Sequence, residues 1–249
     1  MNVLLHRCVA VAVVAAASIM AAGDDRTARA AEDAPVVVEL FTSQGCNTCP
    51  PADAYLGELA KRRDVVALSL HVDYWDYIGW KDTFALGVAT ERQRAYASHL
   101  GRGFVYTPQV VVDGAAEAVG SHRAVVAREI DEARAAPGKF PVGIVYKGND
   151  SMTVSLPDAP AGGKSATVWL VMYDGVHTTD IKSGENGGKK LTYYNVVREF
   201  RQIGTWSGKA MTIPVKAKDE GRAGCAVLVQ EGGTGRIVGA GKVIFADKR

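Results

Sequence analysis

Cysteine is scarce in this chain: 249 residues carry four, too few for the densely cross-linked scaffold of a small secreted domain. A surplus of one charge is also missing. Lys plus Arg number 29 against 27 for Asp plus Glu, a formal net charge of +2, which offers no broad basic face to nucleic acid. No apolar run reaches the ~20 residues that a membrane-crossing helix needs. Internal repeats are absent, and the Gly-rich stretch Lys182 to Lys189 lacks the Gly-Lys-Ser/Thr ending of a phosphate-binding loop. No cofactor is expected.

What is present begins with an export signal. Arg7 supplies positive charge, Cys8 to Gly23 is almost wholly apolar, and Ala28-Arg29-Ala30 offers a small-x-small cleavage site. Residues 1–30 are thus expected to be a signal peptide, with the mature chain secreted to the periplasm and not stably inserted in the membrane. The remainder is long enough for two small domains at roughly 100–200 residues each, expected over 31–137 and 138–249. Cys46, Cys49 and Cys225 remain, in a compartment where disulfides persist. Cys225 lies within the apolar run Gly224 to Val229 and is expected to be buried and inert.

From Val36 to Ala136 strand and helix patterns alternate, which favours an α/β layer. The predicted order is strand (Val36 to Phe41), helix (Ala52 to Lys61, with Pro50-Pro51 at its start), strand (Asp64 to Val72) and a helix from Thr90 to Leu100. A hairpin turning at Asp113-Gly114 and a last helix capped by Ser121 follow. Asp82 is expected to cap a shorter helical piece. Beyond Phe140, short β-rich segments punctuated by Gly, Asn, Asp and Pro predict an antiparallel sandwich. The loop Lys182 to Lys189 reads as a flexible hairpin connection.

Cys46-Asn47-Thr48-Cys49 stands between the first strand and the first helix. Two cysteines at this spacing fit one helical turn, where unpaired N–H groups and the helix dipole favour a thiolate at Cys46. The same spacing serves zinc sites and structural disulfides. A right-handed crossover makes the first two strands parallel, so Cys46 shares a sheet edge with His71, Asp73, Tyr74, Trp75 and Trp80. His71, Asp73 and Trp75 are expected to form a lip for substrate.

The strand, the cysteine pair, and Thr107-Pro108 placed just before the strand Gln109 to Val112 together resemble the thioredoxin-like superfamily. Phe41 to Asp53, His71 to Asp76, Gly184-Glu185-Asn186 and Tyr194 to Arg198 are similar, more narrowly, to a family of secreted bacterial proteins of unknown function. That family joins a thioredoxin-like domain to a β-rich one. The resemblance implies an α/β thioredoxin-like domain followed by an all-β sandwich-like domain, and a cis peptide at Pro108 lying against the thiols. It further implies a Thr107 backbone free to pair with substrate, and Glu39 as proton acceptor for Cys49.

The expected function is thiol–disulfide exchange with protein thiols, disulfides or a redox partner protein: Cys46 attacks, and Cys49 resolves the mixed disulfide. One alternative is a Cu(I)- or Zn-binding metallochaperone using Cys46, Cys49 and His71. Another is a non-catalytic binding module in which the pair is a permanent disulfide.

Overall fold

The computed structural model describes residues 34–148, 150–159, 164–218 and 221–245, so the expected signal peptide lies outside the described residues. The first half runs β1 (Val36–Thr42), α1 (Pro50–Leu59), β2 (Val65–His71), α2 (Gly87–His99), β3 (Gln109–Val112), β4 (Ala116–Val119) and α3 (Arg123–Ala135). Every residue of β1 and β2 is buried. That is why both read as continuous apolar runs instead of alternating ones, since both faces of the sheet are covered. Pro50 and Pro51 open α1, where a missing N–H leaves no intrahelical bond unmade. Asp113 and Gly114, at φ 45° and 66°, supply the two left-handed residues that a tight β3–β4 hairpin requires.

Three expected caps fall elsewhere. Thr90 lies inside α2, where its hydroxyl donates to the Asp73 carboxylate at 2.6 Å. The residue before α3 is His122, not Ser121. Asp82 heads no helix; a short 3₁₀ turn spans Asp76–Ile78 instead.

The second half contributes β5 (Phe140–Pro141), β6 (Gly143–Gly148), β7 (Ser151–Leu156), β8 (Ala166–Asp180), β9 (Lys190–Trp206), β10 (Met211–Lys216), β11 (Gly224–Glu231) and β12 (Ile237–Ile244). The expected fold class, an α/β thioredoxin-like domain followed by an all-β sandwich-like domain, is overturned. Strands dominate the described residues, which hold three α-helices. One curled mixed sheet of nine strands, in the order β4-β3-β1-β2-β9-β8-β11-β12-β5, passes through both halves, and β10, β7 and β6 form a second sheet.

The strand that joins the halves is β9, which runs parallel to β2 with Val196 opposite Ser69. Asn195, at φ 48°, turns its side-chain amide onto the Ala67 carbonyl at 2.9 Å, in place of a backbone donor. The neighbouring Tyr194 ring covers α1 so closely that a Cβ on Gly57 would come within 2.4 Å of it. Because the sheet curls, Val37, Phe41 and Leu68 share one core with Val171, Ala226 and Leu228. A second core, with Met152 and Val154 against Leu170 and Val227, fills the space between the two sheets. Leu40, Ala52, Leu56 and Ile130 close the third beneath α1 and α3.

Candidate functional site

Cys46 and Cys49 are bonded to one another as a disulfide at the junction of β1 and α1. Cys49 occupies the position before the helix, and its carbonyl accepts from the Ala52 and Asp53 N–H groups at 2.9 and 3.1 Å. Pro50 and Pro51 carry no N–H, so the ring of donors expected to stabilise a Cys46 thiolate is depleted by two. The polar neighbour that Cys46 Sγ does have is the Thr48 hydroxyl, at 3.4 Å.

Thr107-Pro108 is cis, as the resemblance implied. Trp75 donates its indole N–H to the Thr107 hydroxyl at 2.8 Å. With Ile78, Trp75 also crowds Gly45, next to the first thiol: a Cβ there would meet either side chain at 3.1–3.2 Å. Trp75 and Thr107 are thus brought together beside the pair. Asp73 is instead engaged by Thr90 at the start of α2.

Two other expected residues are placed differently. His71 is 1% exposed and forms no lip. Its Nδ1 donates to the Asp82 carboxylate at 2.7 Å, which leaves Nε2 as the free ring nitrogen. Asp82 is the hub of this corner, accepting also from the Gln44 and Phe84 N–H groups at 2.7 and 2.8 Å. Burial works to raise its carboxyl, but the His71 charge and these hydrogen bonds together hold it below its usual value.

Glu39 points to the other face of β1 from Leu40, which packs on α1, and so is not beneath the thiols. It is fully buried in a cluster with Arg92, whose guanidinium donates to it at 2.6 and 2.9 Å, and with Tyr96, which donates at 2.6 Å. Gln230 of β11 donates to Tyr96 in turn, at 2.8 Å. Burial drives the Tyr96 hydroxyl well above its normal range. Glu39 therefore ties the two halves of the sheet together. For the metal alternative, the two sulfurs are bonded to each other here, while His71 keeps Nε2 free behind its Nδ1 bond to Asp82. Among the described residues no group of three or more His, Cys, Asp or Glu is arranged to hold a metal ion.

The residues that sequence reasoning passed over are Asn186, Gln44 and Asp53. The loop after β8, read as a flexible connection, is a compact strap laid over the thiols. Within it Ile181 and Lys189 pair at 2.9 Å and Gly187 turns back to Gly184 at 3.0 Å. Asn186 is fully buried and donates its amide hydrogens to the carbonyls of Gln44 and Cys46, both at 2.9 Å. Gln44 accepts from the Trp80 indole at 2.8 Å and donates to Thr83 at 3.2 Å. In this setting Cys46 is 1% exposed and Cys49 not at all. Asp53 lies one helical turn beyond Cys49, fully buried, and burial lifts its carboxyl to about 7 against the lesser opposing pull of His71 and Thr42. The signal that could have found Asp53 is its i, i+4 spacing from Cys49 at the start of a helix. Asn186 belongs to the Gly184-Glu185-Asn186 motif of the family resemblance, but nothing in the local sequence gives it a role at the thiols. Cys225 is free and buried, and burial pushes its thiol up to about 12.

Among solved structures, the chain is similar to protein AGR_C_4864 of Agrobacterium tumefaciens, at 35% identity and a TM-score of 0.76, over 88% of this chain and 98% of that one. HBP35 of Porphyromonas gingivalis is similar at 15% identity and a TM-score of 0.56, over 88% of this chain and 77% of that one, a likeness of fold alone. No curated protein matches the chain. Residues 37–230 match the family described as protein of unknown function (DUF1223), and the chain belongs to that family.

Proposed function

We propose that Cys46 and Cys49 form a redox-active pair that exchanges with thiols and disulfides of an exported partner protein, with residues 1–30 directing the chain out of the cell. The observation that carries this reading is how little the disulfide adds to the fold. It links residues three apart, across a turn that the Cys49 N–H already closes on the Cys46 carbonyl at 3.3 Å. By chain entropy so short a loop contributes only about 2 kcal/mol, against nearly 5 for a loop of about 100 residues. A structural staple would join distant elements, and this one joins neighbours. Its place at the carboxyl ends of parallel β1 and β2 is where α/β layers carry their chemistry.

In the exchange, a Cys46 thiolate attacks a partner disulfide, one partner sulfur leaves, and Cys49 attacks Cys46 to release the other. The test is the reduction potential of the pair in the metal-free mature protein, by thiol trapping in defined redox buffers. A value between about −120 and −270 mV is expected. A value below about −300 mV marks an inert structural disulfide and overturns the reading.

A further inference from the structure

The sheet face beneath α1 is apolar for most of its length and turns polar at one end. Val36, Val38 and Leu40 of β1, with Val65 and Ala67 of β2, pack against Ala52, Leu56 and Leu59. The next inward positions are Thr42 on β1 and Ser69 and His71 on β2, with Thr42 opposite His71 in the register. Helix α1 sets Asp53 over them. From β9 comes Tyr193, whose ring centre lies 4.8 Å from that of His71. All five are buried; Ser69 Oγ, His71 Nε2 and Tyr193 Oη find no hydrogen-bond partner, and Thr42 Oγ1 and Asp53 Oδ1 find none beyond the pull of Thr42 on the Asp53 carboxyl. Folding selects against such groups, and a concentration of them beside a reactive pair is the mark of a site kept for chemistry.

Asp53 is the member that shares a helix face with Cys49. Its N–H bonds the Cys49 carbonyl, so the two residues stand i and i+4 on one helix face, with Cβ atoms roughly 5–6 Å apart. Helical side chains lean toward the N-terminus, which tilts Asp53 toward Cys49.

Resting on the exchange reading above, we propose that Asp53 takes the proton from Cys49 when that thiol resolves the mixed disulfide, and returns it when the pair is reduced. In the resolving step the Cys49 S–H proton passes to the Asp53 carboxylate, and the Cys49 thiolate attacks Cys46 Sγ. The Cys46–partner S–S bond breaks and the partner leaves as thiolate. Two thiols become one disulfide and the partner disulfide takes up the two electrons. In reduction the Asp53 carboxyl protonates the leaving Cys49 sulfur. Burial keeps the Asp53 carboxyl near neutrality, where both of its forms are populated. The titratable groups facing it are His71 from β2, Asp82 from the segment after β2, Tyr193 from β9 and Cys49 from its own helix.

The experiment uses full-length mature protein, reduced and then mixed with oxidised glutathione between pH 5 and 9, with acid quenching and mass spectrometry to count the Cys46–glutathione adduct. In Asp53→Asn the adduct should accumulate and resolve roughly 10²-fold more slowly near pH 7, with the wild-type pH inflection lost. Iodoacetamide alkylation of Cys46 should change less than about 3-fold, since that step needs no proton from Cys49. Wild-type resolution and pH profile in Asp53→Asn overturn the proposal while leaving exchange intact. A wild-type protein that forms no adduct overturns the exchange reading, and the proposal with it. Should the variant not fold, the infrared difference between oxidised and reduced wild type decides: a carboxyl protonation change is expected, and its absence overturns the assignment.

Discussion

Asn186 holds the carbonyl of Cys46 at 2.9 Å across 140 positions of sequence. The strap that carries it is pinned to the backbone on either side of Gly45, so on the proposed exchange reading a protein substrate gains access to Cys46 when the strap lifts. Replacing Asn186 with Ala leaves the carbonyls of Gln44 and Cys46 without these donors, at about 1–3 kcal/mol. The disulfide should then be reduced by dithiothreitol at least several-fold faster than in the wild type, with the main unfolding transition retained. An unchanged rate would show that the strap does not limit access.

Glu39 and Arg92 predict the opposite pattern. Glu39→Ala strands a buried guanidinium that also stacks 4.3 Å over Phe200, and loss of one partner from such a pair costs about 3–5 kcal/mol. Urea denaturation should show that loss. The reduction potential of Cys46/Cys49 should stay within about 30 mV of wild type, which corresponds to about 1.4 kcal/mol. A large shift in potential with unchanged stability would return Glu39 to the thiol site.

Gly57→Ala tests the seam between the halves. The added methyl would stand 2.4 Å from the Tyr194 ring, and overpacking of this kind costs about 1–3 kcal/mol. That outweighs the helix propensity gained, up to about 1 kcal/mol. The variant should be less stable than the wild type, and a stabilised variant would mean that β9 does not bear on α1.

Local signals made the element order of the first half legible. The apolar runs of β1 and β2, the prolines ahead of α1 and the Asp113-Gly114 turn each act within a few residues, and so did the spacing of Cys46 and Cys49. Sheet membership was not legible, because β9 joins β2 through Val196 and Asn195, far along the chain, and no periodicity encodes that choice. The same reason hid the site's cover. Asn186 sits in a Gly-rich stretch that looks like any hairpin connection until the fold brings Gln44 and Cys46 beneath it. His71 was placed at the correct strand end but on the wrong side of the surface, since an Asp82 eleven residues later draws it inward.

The pH dependence of stability follows from Asp53. Its carboxyl rises from an ordinary 3.8 to about 7 in the folded protein, chiefly through burial, so between those values the native state holds a proton that the unfolded chain has released. Stability on this account is fully present below about pH 4, falls as pH rises, and levels off above about 7. The slope of about 1.36 kcal/mol per pH unit gives a total near 4 kcal/mol. Asp82 and Asp64 act in the reverse sense, being held low in the native state, so the whole-protein profile is a sum and the clean quantity is a difference. Asp53→Asn removes the titrating group from both states. Urea unfolding of the oxidised proteins should therefore find the variant gaining on the wild type steadily from pH 4 to 7 and holding a constant lead above that. Parallel curves across the range would mean that Asp53 is ionised in the folded protein at ordinary acidity. It could not then serve as the proton store for Cys49.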